Sequence, residues 1–288
     1  MSAADAARWA AVRMFGEVED PPVLLQGGCI HDVFRVRTGS GSAVMKVAAI
    51  DARAVLEGEM AGLDAIAATG TVRVPRLLGL EEGERHVVFG MEWLEPGAHA
   101  SADWVRFGEQ LASMHAAGGH SRYGFENDNH IGLTDQRNDW SDDWVEFTAT
   151  CRLSPQLAMA RDSGHMGAAE VDRIERLIHR LDRFIPRDPE VSLLHGDLWS
   201  GNAMALEDGT VAVLDPACSY GDAWCDLAMM RMFGGFPPAC ESAWRAQRSE
   251  TDTSARLAVY QLYHQLNHLN LFGSGYLGGV LETAAGLE

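Results

Sequence analysis

The chain has 288 residues, of which 47% are hydrophobic and 22% are charged, so it can bury the core of one large domain or two modest ones. Its net charge of −18 excludes a general nucleic-acid binder, because the neutralisation of phosphates needs a basic surface. No stretch approaches ~18 uninterrupted apolar residues and residues 1–11 lack the apolar core of a secretory signal, so neither a membrane span nor export is predicted. Five cysteines without a Cys-x-x-Cys pair indicate a reducing cytoplasm and no structural zinc.

The first third of the chain is predicted to be rich in strands. Residues 23–47 have the pattern of two strands joined by a turn at Thr38-Gly39-Ser40-Gly41-Ser42. Residues 52–69 follow with a helical pattern. Residues 86–94 form an apolar run typical of a buried strand, and Pro96-Gly97 closes it.

The remainder of the chain is predicted to be helical, with short strands that carry loops. Apolar residues recur at helical spacing over residues 103–117, 171–185 and 255–272. Two short apolar segments, residues 191–194 and 211–214, each lead into a polar loop. This order predicts an α+β fold with a small β-rich lobe over residues 1–93 and a larger helical lobe over residues 94–288, joined by a hinge.

The strongest chemical signal lies in the segment Leu194-His195-Gly196-Asp197-Leu198-Trp199-Ser200-Gly201-Asn202. The interval from Asp197 to Asn202 is that of the kinase catalytic loop H-R-D-L-x-x-x-N. In that loop the aspartate orients the acceptor hydroxyl and takes its proton, and the asparagine binds Mg²⁺. Asp215 ends the next apolar strand, where the metal-binding aspartate of a kinase falls. The pattern predicts phosphoryl transfer from ATP, with Asp197 as the base and Asn202 and Asp215 as Mg²⁺ ligands, on a protein-kinase-like fold.

Lys46 is the one lysine among 23 basic residues; the other 22 are arginines. Random placement would put it at one chosen basic position about one time in 23, and it lies where a kinase needs a lysine to hold the α- and β-phosphates. Glu59 on the following helix is its predicted partner. Gly27 and Gly28, before the hairpin, are predicted to let backbone amides approach the phosphates.

Each of these features alone has an ordinary structural explanation, so the prediction depends on their common order and spacing. Two other motif matches fail in context. Residues 273–278 match G-x-G-x-x-G, but they follow a helix and no βαβ unit comes after them, so a dinucleotide site is not predicted. His264 and His268 have the spacing of a zinc-binding pair, but Gln265 stands where the catalytic glutamate would be, so both are predicted to be polar groups on a packed helix.

Several short sequence motifs beyond the catalytic loop resemble those of the fructosamine kinase (ketosamine-3-kinase) family. They extend from Gln26 to Tyr276, and Phe233-Gly234-Gly235-Phe236-Pro237 and Trp140-Ser141-Asp142-Asp143-Trp144 are the most specific of them. The resemblance implies ATP-dependent phosphorylation of the sugar 3-hydroxyl of a ketosamine, either a small molecule or a glycated protein lysine. It also implies a repair role, because the 3-phosphate is unstable and its loss frees the amine. Ribulosamines and erythrulosamines are implied more than fructosamines.

The resemblance also assigns roles outside the catalytic loop. Met91-Glu92-Trp93 would be the hinge whose backbone reads adenine. Asn129, Trp140 and Trp144 would wall the acceptor pocket, although tryptophans four residues apart on a helix more often belong to a core. Gly196 stands where protein kinases have an arginine that binds a phosphorylated activation loop. The absence of this arginine indicates a constitutively assembled site for a small acceptor.

Two other functions remain open from the sequence. An aminoglycoside or choline kinase would share the catalytic loop, and the four acidic residues between positions 139 and 146 would suit a polycationic acceptor. A catalytically inactive binding module is disfavoured, because the four residues of the predicted phosphoryl-transfer site are intact.

Cys29 directly follows Gly27-Gly28 in the predicted phosphate loop. Its ordinary role would be that of a small apolar residue at the start of a strand. The alternative is a redox-sensitive thiol, whose oxidation would link two chains into a dimer with reduced turnover.

Overall fold

The computed structural model describes residues 1–25, 31–117, 119–249 and 253–288. Within these ranges the N-terminal part consists of two helices and an antiparallel five-stranded sheet, in the order β1-β2-β3-β5-β4. The elements are α1 (Ala3–Phe15), β1 (Val23–Leu24), β2 (Asp32–Thr38), β3 (Gly41–Ala49), α2 (Arg53–Thr69), β4 (Leu77–Glu82) and β5 (His86–Glu92).

The alternation of side chains along β3 directs one polar residue away from the first helix. Met45 is buried under the alanine face of α1, together with Phe34 of β2. Lys46 is the next residue, so its side chain leaves the sheet on the opposite face. The predicted hairpin is present as β2 and β3, which turn between Thr38 and Gly41.

Helix α2 brings a carboxylate to that opposite face of the sheet. Its residues Leu56, Leu63 and Ile66 are buried in the main core. Glu59 lies three residues after Leu56 and four before Leu63, so it shares their helix face and is buried with them. The apolar pattern of α2 therefore carries Glu59 towards β3. The helix ends at Thr69 and is capped by Gly70, whose φ of 64° is the left-handed conformation that glycine adopts without strain.

The C-terminal part is mainly helical in the ranges that the structure describes. Its helices are α3 (Trp104–Ala116), α4 (Trp144–Phe147), α5 (Ser154–Asp162), α6 (Ala168–Ile178), α7 (Trp224–Phe233), α8 (Pro238–Arg245), α9 (Ser254–Phe272) and α10 (Leu277–Gly286). A π-helical segment, Thr148–Leu153, joins α4 to α5. Antiparallel pairs join β6 (Asn129–Ile131) to β7 (Thr134–Gln136), β8 (Val191–Leu194) to β11 (Ser219–Asp222), and β9 (Ala203–Ala205) to β10 (Val211–Val213).

The predicted α+β fold is confirmed, because a sheet dominates as far as β5 and helices dominate after it. The predicted helix over residues 171–185 is wrong at its end, since α6 stops at Ile178. Arg180 leaves the helical conformation, with a φ of −124° and a ψ of 19°, and a 3-10 turn follows at Leu181–Arg183. That turn keeps Leu181 and Ile185 in the core, which explains why the apolar spacing continues beyond the helix.

The lobe boundary at residues 93 and 94 stays a prediction; it lies directly after β5. Among the described residues, no helix is both long enough and apolar enough to cross a membrane. The strand pair β8 and β11 matters most for the site, because the catalytic-loop sequence follows β8 and Asp215 precedes β11.

Candidate active site

The catalytic-loop sequence begins at the end of β8 in a tight backbone arrangement. His195 is buried, and its Nε2 lies 2.9 Å from the carbonyl oxygen of Leu214. Gly196 has a φ of 82°, and a Cβ there would collide with the carbonyl group of Ala217. Only glycine fits both the conformation and the close approach. The two loops that carry Asp197 and Asp215 are thereby held side by side.

A buried carboxylate on α7 fixes the start of this loop. Asp226 accepts hydrogen bonds from the backbone N–H groups of His195, at 2.8 Å, and Gly196, at 2.9 Å. Its Oδ2 also lies 3.0 Å from Nε2 of His115, whose Nδ1 accepts the indole N–H of Trp244 at 2.9 Å. The bond from Trp244 leaves the ring proton of a neutral His115 on Nε2, where it is donated to Asp226. Burial lowers the pKa of His115 and so favours the neutral ring.

The structure brings Asp197 and Asn202 together. The Nδ2 of Asn202 donates to the backbone oxygen of Asp197 at 2.9 Å and to its carboxylate at 3.2 Å. Because the amide nitrogen is used in this way, the amide oxygen of Asn202 is the atom that a cation would meet. Burial, reinforced by the charge of Asp215, raises the pKa of Asp197 to about 7, which makes it a stronger base than an exposed aspartate.

Among the residues that the structure describes, Asp215 is the only one other than glycine with a positive φ, at 52°. An aspartate held in this conformation is uncommon and indicates a position that the surrounding structure dictates. Asp215 and Asn202 offer a carboxylate and an amide oxygen, which are hard donors suited to Mg²⁺. No group of three or more His, Cys, Asp or Glu side chains able to hold a metal occurs among the described residues. A cation here would therefore need further oxygen ligands, such as phosphates and water.

Lys46 joins the two lobes at this point. Its Nζ donates to Glu59 at 2.6 Å and to Asp215 at 2.8 Å. Burial opposes the charged ammonium, but the charges of Glu59 and Asp215 outweigh it, so the pKa of Lys46 is raised and the side chain stays cationic. The same ammonium outweighs the burial of Asp215 and lowers its pKa. The structure thus places a fixed positive charge beside the candidate metal ligands.

The predicted hinge lies where β5 leaves the sheet. Met91 is buried, and the carboxylate of Glu92 accepts from Arg73 at 2.8 Å and from the backbone of Arg76 at 3.0 Å. Trp93 is half-buried, with the guanidinium carbon of Arg35 at 4.3 Å from its ring centroid.

Beyond the hinge the chain packs on the β9–β10 pair. The N–H of Gly97 donates to Ala205 at 2.8 Å. Leu94, Leu206 and Ala212 form a small apolar cluster with Met204. Gly27, Gly28 and Cys29 lie outside the residues that the structure describes, so their predicted roles stay predictions.

Aromatic side chains extend from the catalytic loop across α7 and α9. We call this set the aromatic wall; it consists of Trp199, Phe233, His268, Phe272 and Tyr276. Ring centroids lie 6.2 Å apart for Trp199 and Phe233, 5.0 Å for Phe233 and His268, and 5.4 Å for His268 and Phe272. Phe233 is 44% exposed and Phe272 is 61% exposed, so part of the wall faces solvent. Trp199 follows Asp197 by two residues in the sequence.

Sequence reasoning missed the aromatic wall, because its members come from three separate segments. The available signal was Trp199 itself, two residues after Asp197. His268 was predicted to be a polar group on a packed helix, and its Nδ1 does bond to the backbone of His264 at 2.8 Å. The same ring also contacts Phe233, so His268 belongs to the aromatic wall as well as to the packed helix.

The three residues predicted to wall the acceptor pocket are not members of the aromatic wall. Asn129 is buried, and its Nδ2 donates to the backbone oxygen of Cys218 at 2.8 Å. Trp144 is buried, and its indole N–H donates to Tyr260 at 2.8 Å. Trp140 is half-buried and precedes α4, so the two tryptophans do not share a helix as their spacing suggested. Their role towards the acceptor stays a prediction.

The chain matches the family model described as fructosamine kinase over residues 17–285. It is 40% identical to a probable ketoamine kinase from Synechocystis over 88% of this chain and 85% of that protein. It is 37% identical to the chloroplastic protein-ribulosamine 3-kinase of Arabidopsis thaliana, over 89% of this chain and 79% of the relative.

Solved structures give the same comparison in three dimensions. A putative fructosamine-3-kinase from Haemophilus somnus superposes with a TM-score of 0.89 at 23% identity, over 99% of both chains. An aminoglycoside phosphotransferase in a ternary complex with ADP and hygromycin B superposes with a TM-score of 0.63 at 16% identity, over 98% of this chain and 95% of that one. These likenesses at low identity confirm the predicted kinase-like fold.

Proposed function

Because the chain belongs to the fructosamine kinase family, we propose that it transfers the γ-phosphate of ATP to the 3-hydroxyl of a ketosamine. The observation that carries this proposal is the joint placement of Asp197, Asn202, Asp215 and Lys46 across the two lobes. Phosphoryl transfer depends mainly on positioning and on neutralising charge, and these four residues supply both.

In this proposal Asp197 accepts a hydrogen bond from the acceptor hydroxyl and takes its proton as the phosphoryl group is transferred. Its raised pKa suits that task, because a base works best when its pKa is near the working pH. Asn202 and Asp215 hold Mg²⁺, which supplies charge neutralisation between the phosphates when it is bound. Lys46, oriented by Glu59, holds the α- and β-phosphates.

The nucleotide base is proposed to lie between the hinge and the apolar cluster of Leu94, Leu206 and Ala212. Met91-Glu92-Trp93 would read the adenine through backbone groups, and Gly27 and Gly28 would approach the phosphates. The ADP complex of the aminoglycoside phosphotransferase with this fold supports the use of ATP.

The sugar of the acceptor is proposed to lie on the aromatic wall, next to Asp197. Aromatic rings bind the C–H faces of a sugar and attract a cationic amine, and a ketosamine contains both groups. Ribulosamines and erythrulosamines are the proposed sugars, carried by free amines or by glycated protein lysines. The name of the Arabidopsis relative, a protein-ribulosamine 3-kinase, supports this choice.

Replacing Trp199 by alanine should raise the KM for the ketosamine about 10-fold and leave the KM for ATP nearly unchanged, because its ring packs against Phe233 in the wall that is proposed to bind the acceptor. Trp140→Ala is the matched control, since Trp140 is also a half-buried tryptophan, but its ring stacks on His120 at 4.6 Å and Tyr220 at 6.0 Å, which are not members of the wall. Steady-state kinetics with each substrate varied in turn distinguish the two. A larger acceptor effect from Trp140→Ala would transfer the acceptor role to the residues predicted from the sequence.

The proposed cellular role is the repair of glycated amines in the cytoplasm. Phosphate on O3 turns that oxygen into a good leaving group, so its elimination followed by hydrolysis frees the amine. Cysteines without Cys-x-x-Cys pairs support a reducing compartment. Oxidation of Cys29 to an intermolecular disulfide with loss of turnover stays a prediction from the sequence.

The test is an ATP-consumption assay over ribulosamines, erythrulosamines, fructosamines, an aminoglycoside and choline. We expect turnover with the ketosamines and none above background with the last two acceptors. Turnover with an aminoglycoside or choline at the ketosamine level would reject the proposed acceptor and keep the phosphotransfer chemistry.

A further inference from the structure

The turn after α7 is anchored by contacts outside the catalytic loop. Phe236 stacks on Phe107, with ring centroids 6.4 Å apart and planes 9° apart, and meets Trp104 edge-on at 5.8 Å. His99 Nε2 lies 3.1 Å from the backbone oxygen of Gly235. Together the contacts tie the turn formed by Gly234 and Gly235 to the start of α3 and to the 3-10 turn His99–Ser101 that precedes it.

The same turn also lies directly against the catalytic loop. A Cβ on Gly235 would lie 2.5 Å from both the Cβ and the Oγ of Ser200, which is closer than real Cβ contacts come. Gly235 has a φ of 93° and Gly234 has a φ of 67°, so both adopt a conformation that favours glycine. A Cβ on Gly234, in contrast, would meet nothing within 4 Å. Of these two glycines, only Gly235 must lack a side chain for the turn to approach Ser200 this closely.

Ser200 begins the 3-10 turn Ser200–Asn202, which ends at the proposed metal ligand. A Cβ on Gly201 would collide with the ring of Trp199, so the turn is also packed tightly on that side. Asn202 in turn bonds to Asp197 through its amide nitrogen. The turn has little free space in which Ser200 could move alone. A displacement of Ser200 is therefore expected to displace Asn202 and Asp197 as well.

We propose that Gly235 is a positioning residue, which sets the Ser200–Asn202 turn and through it the metal ligand Asn202 and the base Asp197. The inference rests on the proposed phosphotransfer function. The contacts of Phe236 and His99 hold the turn in place. A side chain added at residue 235 is therefore expected to displace Ser200 and not the turn itself. A displacement of about 1 Å at a reacting group is enough to cost about 10²-fold in rate.

Five variants test this inference: Gly235→Ala, its control Gly234→Ala, Ser200→Gly, and Gly235→Ala combined with Ser200→Gly or with Ser200→Ala. Gly234→Ala introduces the same type of backbone strain without the collision. Ser200→Gly removes both colliding atoms, whereas Ser200→Ala removes only the Oγ and leaves the Cβ at 2.5 Å. The readouts are kcat with a ketosamine, and the Mg²⁺ concentration needed for half-maximal binding of a non-hydrolysable ATP analogue.

We expect Gly235→Ala to lower kcat about 10²-fold and to raise the required Mg²⁺ concentration, while Gly234→Ala stays within about 3-fold of wild type in both. Adding Ser200→Gly should return both readouts to the level of Ser200→Gly alone, and adding Ser200→Ala should not. If Gly235→Ala does not fold, recovery of folding and turnover in the Ser200→Gly combination supports the inference equally.

Equal effects of Gly235→Ala and Gly234→Ala, or no recovery on adding Ser200→Gly, would overturn the inference. The binding readout needs no acceptor, so it tests the positioning role of Gly235 independently of the proposed ketosamine acceptor. A wild type that binds Mg²⁺ and nucleotide in the expected pattern but phosphorylates no ketosamine would reject the proposed function alone.

Discussion

Replacing Asp197 by asparagine lowers kcat by about 10²–10⁴ and leaves the affinity for ATP nearly unchanged, which is the usual effect of losing a positioned proton acceptor. Asparagine keeps the shape of the side chain and one oxygen that accepts the 3.2 Å bond from Asn202. The lower kcat is therefore attributed to the missing proton acceptor and not to a change in the loop structure. Nucleotide binding and single-turnover rates, measured side by side, check both parts of this result.

Asp162→Asn is the matched control, because this exposed residue of α5 bonds only to the neighbouring Arg161 in the described structure. It should retain wild-type turnover. Near-wild-type kcat in Asp197→Asn would remove this residue from the mechanism. A loss of ATP affinity as large as the loss of turnover would assign it to nucleotide binding instead.

Replacing Asp215 by alanine should abolish Mg²⁺-dependent nucleotide binding and lower turnover about 10³-fold or more. The change removes the carboxylate ligand and also one of the two partners of Lys46. Titration of nucleotide with and without Mg²⁺ measures the effect directly. We expect the variant to bind nucleotide equally weakly in both conditions, whereas the wild type responds to the metal.

Asp215→Asn separates the metal role from backbone strain. The φ of 52° at this position is costly for alanine but is tolerated by asparagine. The asparagine variant should therefore fold as well as the wild type and still bind Mg²⁺ poorly, because it lacks the negative charge. Normal Mg²⁺ affinity in Asp215→Asn would contradict the assignment of Asp215 as a metal ligand.

The sequence was sufficient to predict the fold and the family. The interval from Asp197 to Asn202 is local, so it could be recognised without knowing the fold. Lys46 was identified because it is the one lysine in the chain, and the structure brings it to Glu59 and Asp215 as the kinase pattern requires. The family match and the kinase-like superpositions confirm the resemblance.

Other parts of the site depend on contacts between distant segments. Asp226 follows the backbone groups that it holds by about 30 residues, and His115 precedes it by more than a hundred. Nothing in the local sequence states that these residues meet. The aromatic wall was missed for the same reason, because Trp199, Phe233 and His268 converge only through the packing of α7 and α9.

The most direct test of the central claim is the position of the phosphate on the product. The wild-type protein is incubated with ATP, Mg²⁺ and a ribulosamine, and the product is examined by phosphorus–proton correlation NMR. We expect phosphorus to couple to the hydrogen on C3 of the sugar, followed by the release of free amine and inorganic phosphate in equal amounts. Phosphate on any other hydroxyl, or ATP hydrolysis without transfer to the sugar, would contradict the assignment of this chain as a ketosamine 3-kinase.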